Sequence, residues 1–206
     1  MACHFSPYGT GLCNCPGTLP QDAMVILNDR TPIHGHDTQR ITQQLTQIVE
    51  DSGCSSVLLD FQRPEDPQTA SLAAKLVADL PCPVGVSDLY ARELDCPVFL
   101  PPVPLGQAPE GYLSSWNGRE IWLDAALDTA VITVTEEGST TASLPWSEPP
   151  ENTFTDDALF CCYHTRIQPE RIDFHLYRTK PQLEALLARA KALGVTRSIG
   201  LFQQLG

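Results

Sequence analysis

A short apolar run at residues 56–59 ends in polar side chains of three different chemistries. Asp60 follows the run directly, and Gln62 and Arg63 come two and three positions after it. A carboxylate, an amide and a guanidinium this close together can hydrogen-bond a hydroxylated ligand, and a carboxylate can also act as an acid or a base. Hydrophobic strands that end in such groups are where α/β folds keep their binding and catalytic residues. We therefore expect a functional site at the end of this strand.

Polar side chains also follow the other apolar runs that we predict to be strands. The residues at those ends are Asn28, Asp29, Arg30, Asp88, Tyr90, Asp124, Gln203 and Gln204. The carboxyl ends of parallel strands converge on one rim, so we expect these side chains to gather there. Carboxylates and amides can bind vicinal hydroxyls, and the rings of Tyr8, Tyr90 or Trp122 offer faces for stacking on a sugar. The substrate-binding residues that we predict are Asp29, Arg30, Arg63, Asp88, Tyr90, Asp124 and Gln203.

Two other interpretations of this rim stay open. Arg30 and Arg63 could form ion pairs with neighbouring aspartates and simply close the end of the sheet. A cluster of aspartates could instead hold Mg²⁺ or Ca²⁺, although no spaced loop motif supports such a site.

Two pairs of softer ligands, His34 with His36 and Cys13 with Cys15, could recruit Zn²⁺. Neither pair has the spacing of a zinc motif with a matching second half, so we interpret both as loop residues. We predict no metal site and no cofactor. Several of the eight cysteines lie beside apolar runs, where a free thiol behaves as a small buried hydrophobe.

The composition limits the classes of partner. The chain has 206 residues, with 25 acidic and 13 basic side chains and a net charge of -12. This charge repels phosphate backbones and anionic lipid, so we predict no nucleic-acid and no membrane partner. No segment has the pattern of a secretion signal or a membrane span, and we expect a cytoplasmic protein.

The alternation of short apolar runs with helical patterns predicts an α/β fold. Helices are expected after a cap at Thr38, after Asp66 and over residues 181–193, and about eight runs are short enough to be sheet strands. We predict a compact (β/α)8 TIM-like barrel, with some helices reduced to loops, as a single domain over residues 1–206. Alternating residues around turn signals add two β-hairpin insertions, at 130–145 and 159–177. An open doubly wound sheet is the alternative, but the chain lacks its glycine-rich turn.

The run ending at Gln62 resembles the strand signature of family 18 glycoside hydrolases, the chitinase-like barrels. Aligned on the end of the run, Asp60 falls on the last aspartate of that signature, Phe61 on the aromatic residue and Gln62 on the glutamate. The earlier aspartate, glycine and aspartate positions are occupied by Ser55, Ser56 and Leu58. The resemblance covers residues 24–64 and 172–206.

The resemblance implies roles for two residues. In that family the glutamate protonates the glycosidic oxygen and the neighbouring aspartate orients the N-acetyl group of the substrate, so the catalytic positions fall on Gln62 and Asp60. Gln203 lies about where the family often has a sugar-stacking tryptophan. An amide cannot donate a proton near neutral pH, and loss of general acid catalysis alone costs about 10²–10⁴ in rate.

The expected function is therefore that of a degenerate, non-catalytic glycoside hydrolase-like protein that binds a carbohydrate or a similar polar ligand at the rim. Two alternatives stay open. The protein could be an active hydrolase that uses another rim carboxylate together with Asp60. It could also be a structural or interaction module whose hairpins form a homodimer.

Overall fold

The computed structural model describes residues 2–5, 23–30, 38–63 and 66–200 of the chain. The chain divides into two compact units, one made of residues 1–100 and 118–122, the other of residues 101–117 and 123–206. Helices and strands alternate along the first unit, which confirms the predicted α/β class. No helix in the described part of the chain is long and apolar enough to cross a membrane. The single domain over 1–206 stays a prediction.

The first unit contains a parallel sheet with helices between its strands. Its elements are β1 (Ala2–Phe5), β2 (Met24–Asn28), α1 (Thr38–Ser52), β3 (Ser56–Asp60), α2 (Pro67–Asp79), β4 (Val84–Ser87), α3 (Asp88–Ala91), β5 (Val98–Leu100) and the first half of β6 (Ile121–Asp124). Strands β1 to β5 pair in chain order, each parallel to the next. Their carboxyl ends therefore lie at the same edge of the sheet.

Local sequence signals account for the start of α2 and the end of α1. Asp66 caps α2, because its carboxylate accepts hydrogen bonds from the backbone nitrogen and the hydroxyl of Thr69 (3.0 and 2.8 Å). These bonds lower the pKa of Asp66. Helix α1 ends at Gly53, whose φ of 63° suits a residue without a Cβ and whose nitrogen donates to the carbonyl of Val49 (3.0 Å).

The second unit is built around an antiparallel sheet. Its elements are α4 (Pro109–Leu113), a 3₁₀ turn (Ser114–Trp116), the second half of β6, β7 (Asp128–Thr135), β8 (Gly138–Leu144), β9 (Phe154–Asp156), β10 (Cys161–Gln168), β11 (Arg171–Arg178), α5 (Lys180–Ala192) and β12 (Val195–Ile199). Strands β7 to β11 form a five-stranded sheet in the order β8-β7-β11-β10-β9. Strand β12 adjoins β6, and there the nitrogen of Ala125 donates to the carbonyl of Ile199 (2.6 Å).

Antiparallel strand pairs lie at both predicted hairpins, within one sheet, and their description as insertions stays a prediction. The sequence predicted two separate hairpins, whereas β7 also pairs with β11. The physical reason is a shared apolar face: Ala130 and Leu176 are register partners, and both are buried. The last strand, β12, begins at Val195, the first buried residue after α5. The larger sheet contains seven strands within the described residues, against about eight predicted.

The side chain of Trp122, on β6, is fully buried. It is not the exposed ring that the sequence suggested. A methyl group at Gly85, on β4, would lie 2.3 Å from Cε3 of Trp122, so only glycine leaves room for the indole. The indole nitrogen donates to a carboxylate oxygen of Glu120 (2.9 Å). Trp122 therefore contributes to the core and not to ligand stacking.

This close contact predicts that Gly85→Ala destabilises the protein. Overpacking a filled core costs about 1–3 kcal/mol in the free energy of unfolding, which urea denaturation followed by circular dichroism measures. The matched control is Gly111→Ala in α4, where a methyl group would have no neighbour within 4 Å. Equal stabilities for the two variants would contradict the packing described for Trp122.

Candidate functional site

The candidate site lies where β2 and β3 end side by side. The two strands are parallel, and Asn28 is the register partner of Asp60. The strand bodies are held by burial: Val25, Leu27, Val57 and Leu59 have no exposed surface. The polar residues that follow both strands are thereby brought to one edge of the sheet, as the sequence predicts.

Asp29 is the residue that fixes the turn after β3. One of its carboxylate oxygens accepts a hydrogen bond from the backbone nitrogen of Gln62 (3.0 Å), and the other accepts one from that of Arg63 (2.9 Å). Only 3% of Asp29 is exposed. Because both oxygens are used by the backbone and the side chain is buried, Asp29 positions the turn. Its predicted contact with substrate stays a prediction.

The side chains of Gln62 and Arg63 donate short hydrogen bonds to the ends of the two strands. Nε2 of Gln62 donates to Oδ1 of Asp60 at 2.5 Å, and a terminal nitrogen of Arg63 donates to the carbonyl of Arg30 at 2.7 Å. The backbone nitrogen of Arg30 donates to Oδ1 of Asn28 (3.2 Å). The bond between Gln62 and Asp60 orients the amide, while Gln62 and Arg63 remain exposed.

A pocket of about 380 Å³ opens between these residues. Its lining residues are Asn28, Asp29, Arg30, Asp60, Gln62 and Arg63. Two carboxylates and two guanidinium groups give this lining a formal charge of zero. Among the described residues, no ion pair joins either arginine to Asp29, Asp60 or Asp88. Direct ion pairing therefore does not close this rim.

Two further side chains hold the turn from the neighbouring strand and helix. The hydroxyl of Ser87 donates to the carbonyl of Phe61 (2.7 Å). The hydroxyl of Tyr90 donates to the carbonyl of Arg63 (3.2 Å) and accepts from the nitrogen of Asp66 (3.1 Å). Tyr90 is 8% exposed and meets the ring of Phe61 edge-on at 5.9 Å. Tyr90 thus supports the loop, and its predicted contact with substrate stays a prediction.

The remaining predicted residues lie elsewhere. Asp88 begins α3, is half-buried and does not line the pocket. Asp124 ends β6 in the second unit and is also half-buried. Gln203 and Gln204 lie outside the described residues, as does Tyr8.

The candidate zinc ligands His34, His36, Cys13 and Cys15 also lie outside the described residues. Among the residues that the structure describes, no group of three or more histidine, cysteine or acidic side chains could hold a metal ion.

The described thiols do not have the character of nucleophiles. Burial raises the pKa of Cys82 and that of Cys161 to about 11, and it also raises the pKa of Cys96 and of Cys162. These groups are protonated at neutral pH, and a thiol attacks only as its thiolate.

Sequence reasoning missed the supporting roles of Ser87 and Tyr90. The position of Ser87 at the end of a buried strand was a usable signal, since a buried hydroxyl needs a partner. The contact of Tyr90 with two backbone groups more than 20 residues away left no signal in the sequence.

Comparison with solved structures identifies the fold, whereas no family model and no curated protein matches the chain. The spore cortex-lytic enzyme SleL of Bacillus megaterium matches with a TM-score of 0.54 and 11% identity over 88% of this chain. The chitinase-like agglutinin RobpsCRA of Robinia pseudoacacia matches over 87% of this chain and 75% of its own, with a TM-score of 0.53 and 11% identity. The fold is that of the chitinase-like family 18 glycoside hydrolases. The resemblance in the strand at 56–62 is thus confirmed at the level of the fold.

A third structure of this fold is a glutamate-to-glutamine mutant of the class V chitinase from Nicotiana tobaccum in complex with NAG4. It covers 87% of this chain and 75% of its own, with a TM-score of 0.50 and 10% identity. The chain spans 56% of the length of the Bacillus megaterium SleL chain.

The geometry at Asp29 predicts that Asp29→Asn destabilises the protein. The substitution replaces one acceptor oxygen by an amide nitrogen, which faces a backbone N–H donor and cannot accept its hydrogen bond. A buried donor without an acceptor lowers the free energy of unfolding by about 1–3 kcal/mol. Urea denaturation should show this loss. Asp157→Asn is the control, because it removes the same charge from an exposed position and should change the stability by less than about 0.5 kcal/mol. A loss no larger than that of the control would show that Asp29 does not fix the turn.

Proposed function

We propose that this protein binds a carbohydrate, or a similar polar ligand, in the pocket at the ends of β2 and β3 without cleaving it. The observation that carries the proposal is the pair Asp60 and Gln62. In a chitinase-like fold, the position that resembles the family's acid holds an amide, and this amide donates to Asp60 at 2.5 Å.

The size and chemistry of the pocket suit such a ligand. Its volume of about 380 Å³ is within the range of about 300–1,000 Å³ that is usual for small-molecule sites. Asp60 supplies acceptors, Arg30 and Arg63 supply donors, and the amides of Asn28 and Gln62 supply both. Sugars carry hydroxyl and acetamide groups that require this mixture of donors and acceptors.

The solved relatives support a sugar ligand and do not prove one. One neighbour is a chitinase-like agglutinin, and another is a chitinase mutant with glutamine in place of a glutamate, in complex with NAG4. The latter shows that one glutamate-to-glutamine exchange in a protein of this fold is compatible with an oligosaccharide in the structure. By analogy, we expect ligands that contain N-acetylglucosamine.

The alternative of an active hydrolase has less support. The alternative in which another rim carboxylate acts together with Asp60 needs two carboxyl groups that reach the substrate. Among the described residues that line the pocket, the carboxylates are Asp29 and Asp60, and Asp29 uses both oxygens on the backbone. Within the described part of the chain, Oδ1 of Asp60 accepts from Gln62, and Oδ2 makes no hydrogen bond to protein, so Asp60 is the carboxylate that we expect to contact the ligand.

The finer architecture is part of the same proposal. We infer that the parallel sheet belongs to a (β/α)8-type barrel whose rim carries the pocket. The parallel order of β1 to β5 and the chitinase-like fold support this.

Asp60→Asn is predicted to weaken the binding of N-acetylglucosamine tetramer at least about tenfold, because it removes a charged acceptor. A hydrogen bond to a charged group contributes about 1.5–3 kcal/mol to the binding free energy. Isothermal titration calorimetry measures the affinity. Asp88→Asn is the matched control, since Asp88 begins α3 directly after the neighbouring strand and does not line the pocket, so its substitution should leave the affinity unchanged. Equal effects of the two substitutions, or no binding by the unsubstituted protein, would refute the proposed site.

Gln62→Glu is predicted to create measurable hydrolysis of a chromogenic N-acetylglucosamine oligomer. The introduced carboxyl lies at hydrogen-bond distance from Asp60, where two carboxylates cannot both ionise, so one keeps a proton that it can donate to the glycosidic oxygen. Release of the chromophore is followed for the unsubstituted protein, for Gln62→Glu and for Gln62→Ala. Hydrolysis by the unsubstituted protein would contradict the non-catalytic function. Inactivity of Gln62→Glu despite intact ligand binding would show that Gln62 does not occupy the position of the acid.

A further inference from the structure

Two histidines lie directly opposite each other on the antiparallel sheet of the second unit. His164 of β10 and His175 of β11 are register partners. Their rings stack with centroids 4.7 Å apart and planes within 2° of parallel. Both residues are half-buried, so part of each ring is open to solvent. The carbohydrate proposal makes no use of this pair.

A buried tyrosine orients one of the two rings. The hydroxyl of Tyr177 lies 3.4 Å from Nδ1 of His164, and the two rings stack at 5.8 Å. Tyr177 is 6% exposed, which restricts its movement. When Nδ1 donates its proton to the tyrosine oxygen, the lone pair of Nε2 stays free. This is the arrangement by which a neighbouring group usually fixes the tautomer of a metal-binding histidine.

The spacing of the rings suits two bonds to one ion. Metal–nitrogen bonds of about 2.0–2.1 Å place two imidazole nitrogens on one ion about 3–4 Å apart. The lone pairs of parallel rings do not meet at one ion, so both rings must tilt toward each other through rotations about the side-chain bonds, and the strand register can stay as it is.

The nearest thiol and carboxylate on this face already have other partners. Cys162, on the same face of β10, directs its sulfur to the carbonyl oxygen of Tyr177 (3.7 Å). Asp173, on the same face of β11, accepts hydrogen bonds from Thr133 (2.8 Å) and Gln168 (3.4 Å). A site of two imidazoles and water favours Ni²⁺, Cu²⁺ or Zn²⁺ over Mg²⁺ or Ca²⁺, which prefer oxygen ligands.

We propose that His164 and His175 together bind one divalent transition-metal ion, with Tyr177 as a positioning residue. The ion links β10 to β11. Because the two ligands come together only in the folded sheet, metal binding stabilises the folded protein.

The test uses Ni²⁺, because Cu²⁺ would oxidise the thiols of this chain. The parent protein carries His34→Gln and His36→Gln, which remove the other closely spaced histidines. Calorimetry measures Ni²⁺ affinity for the parent and for the parent with His164→Gln, His175→Gln or Tyr177→Phe, and His4→Gln is the matched control. In the parent, paramagnetic broadening by Ni²⁺ identifies the liganding rings by NMR without any change to the pair.

The proposal expects one Ni²⁺ per chain, a loss of at least tenfold in affinity for either histidine variant, and a loss of about tenfold for Tyr177→Phe. The His4→Gln control should keep the parent affinity, Mg²⁺ should not compete, and Ni²⁺ should broaden His164 and His175 first. Unchanged affinity in both histidine variants, or no broadening of these two rings at millimolar Ni²⁺, would overturn the proposal. Should a variant fail to fold, the broadening experiment decides alone.

Discussion

The carboxylate of Asp29 is the constraint on which the candidate site depends. It joins the end of β2 to the turn after β3 through two backbone hydrogen bonds, to Gln62 and Arg63, across more than 30 residues of sequence. The backbone N–H groups of this turn need acceptors, and the carboxylate of Asp29, which is itself buried, supplies them. Ser87 and Tyr90 hold the carbonyls of Phe61 and Arg63 from the other side of the same turn. The turn is therefore fixed at its backbone, which leaves its side chains available to a ligand.

This arrangement is the basis of the proposal that the site binds a ligand without cleaving it. The carboxylate of Asp29, which could have been a second catalytic group, accepts hydrogen bonds from the backbone. The side chain that hydrogen-bonds to Asp60 is an amide, that of Gln62. What remains exposed in the pocket is a set of donors and acceptors in fixed positions. Such a set can recognise hydroxyl and acetamide groups, but it contains no obvious proton donor for the leaving group. The same scaffold that serves hydrolysis in other proteins of this fold is thus compatible with a binding function here.

The sequence predicts the local elements well because local signals specify them. Asp66 with Pro67 at the start of α2, and Gly53 at the end of α1, define those boundaries through capping and backbone conformation. The gathering of Asp29, Asp60 and Gln62 at one rim also follows from the pattern of parallel strands. Features that depend on distant contacts could not be predicted in this way. The burial of Trp122 depends on Gly85 37 residues away, and the union of the two hairpins depends on the pairing of β7 with β11.

The role of Asp29 shows most clearly which features the sequence alone does not predict. An aspartate after a strand predicts a polar rim, but only the structure shows that both of its oxygens accept hydrogen bonds from the backbone. Charge and position alone make Asp29, Asp60, Asp88 and Asp124 equivalent candidates. Hydrogen bonding and location distinguish them, and these differences are the reason that we propose Asp60 as the acidic residue in contact with the ligand.

The most direct test of this account is an NMR titration of the side-chain amides with N-acetylglucosamine tetramer. The account predicts that the amide resonances of Gln62 and Asn28 shift and saturate together, while that of Gln168 on the antiparallel sheet stays in place. A titration that leaves Gln62 and Asn28 unchanged while other resonances move would contradict it.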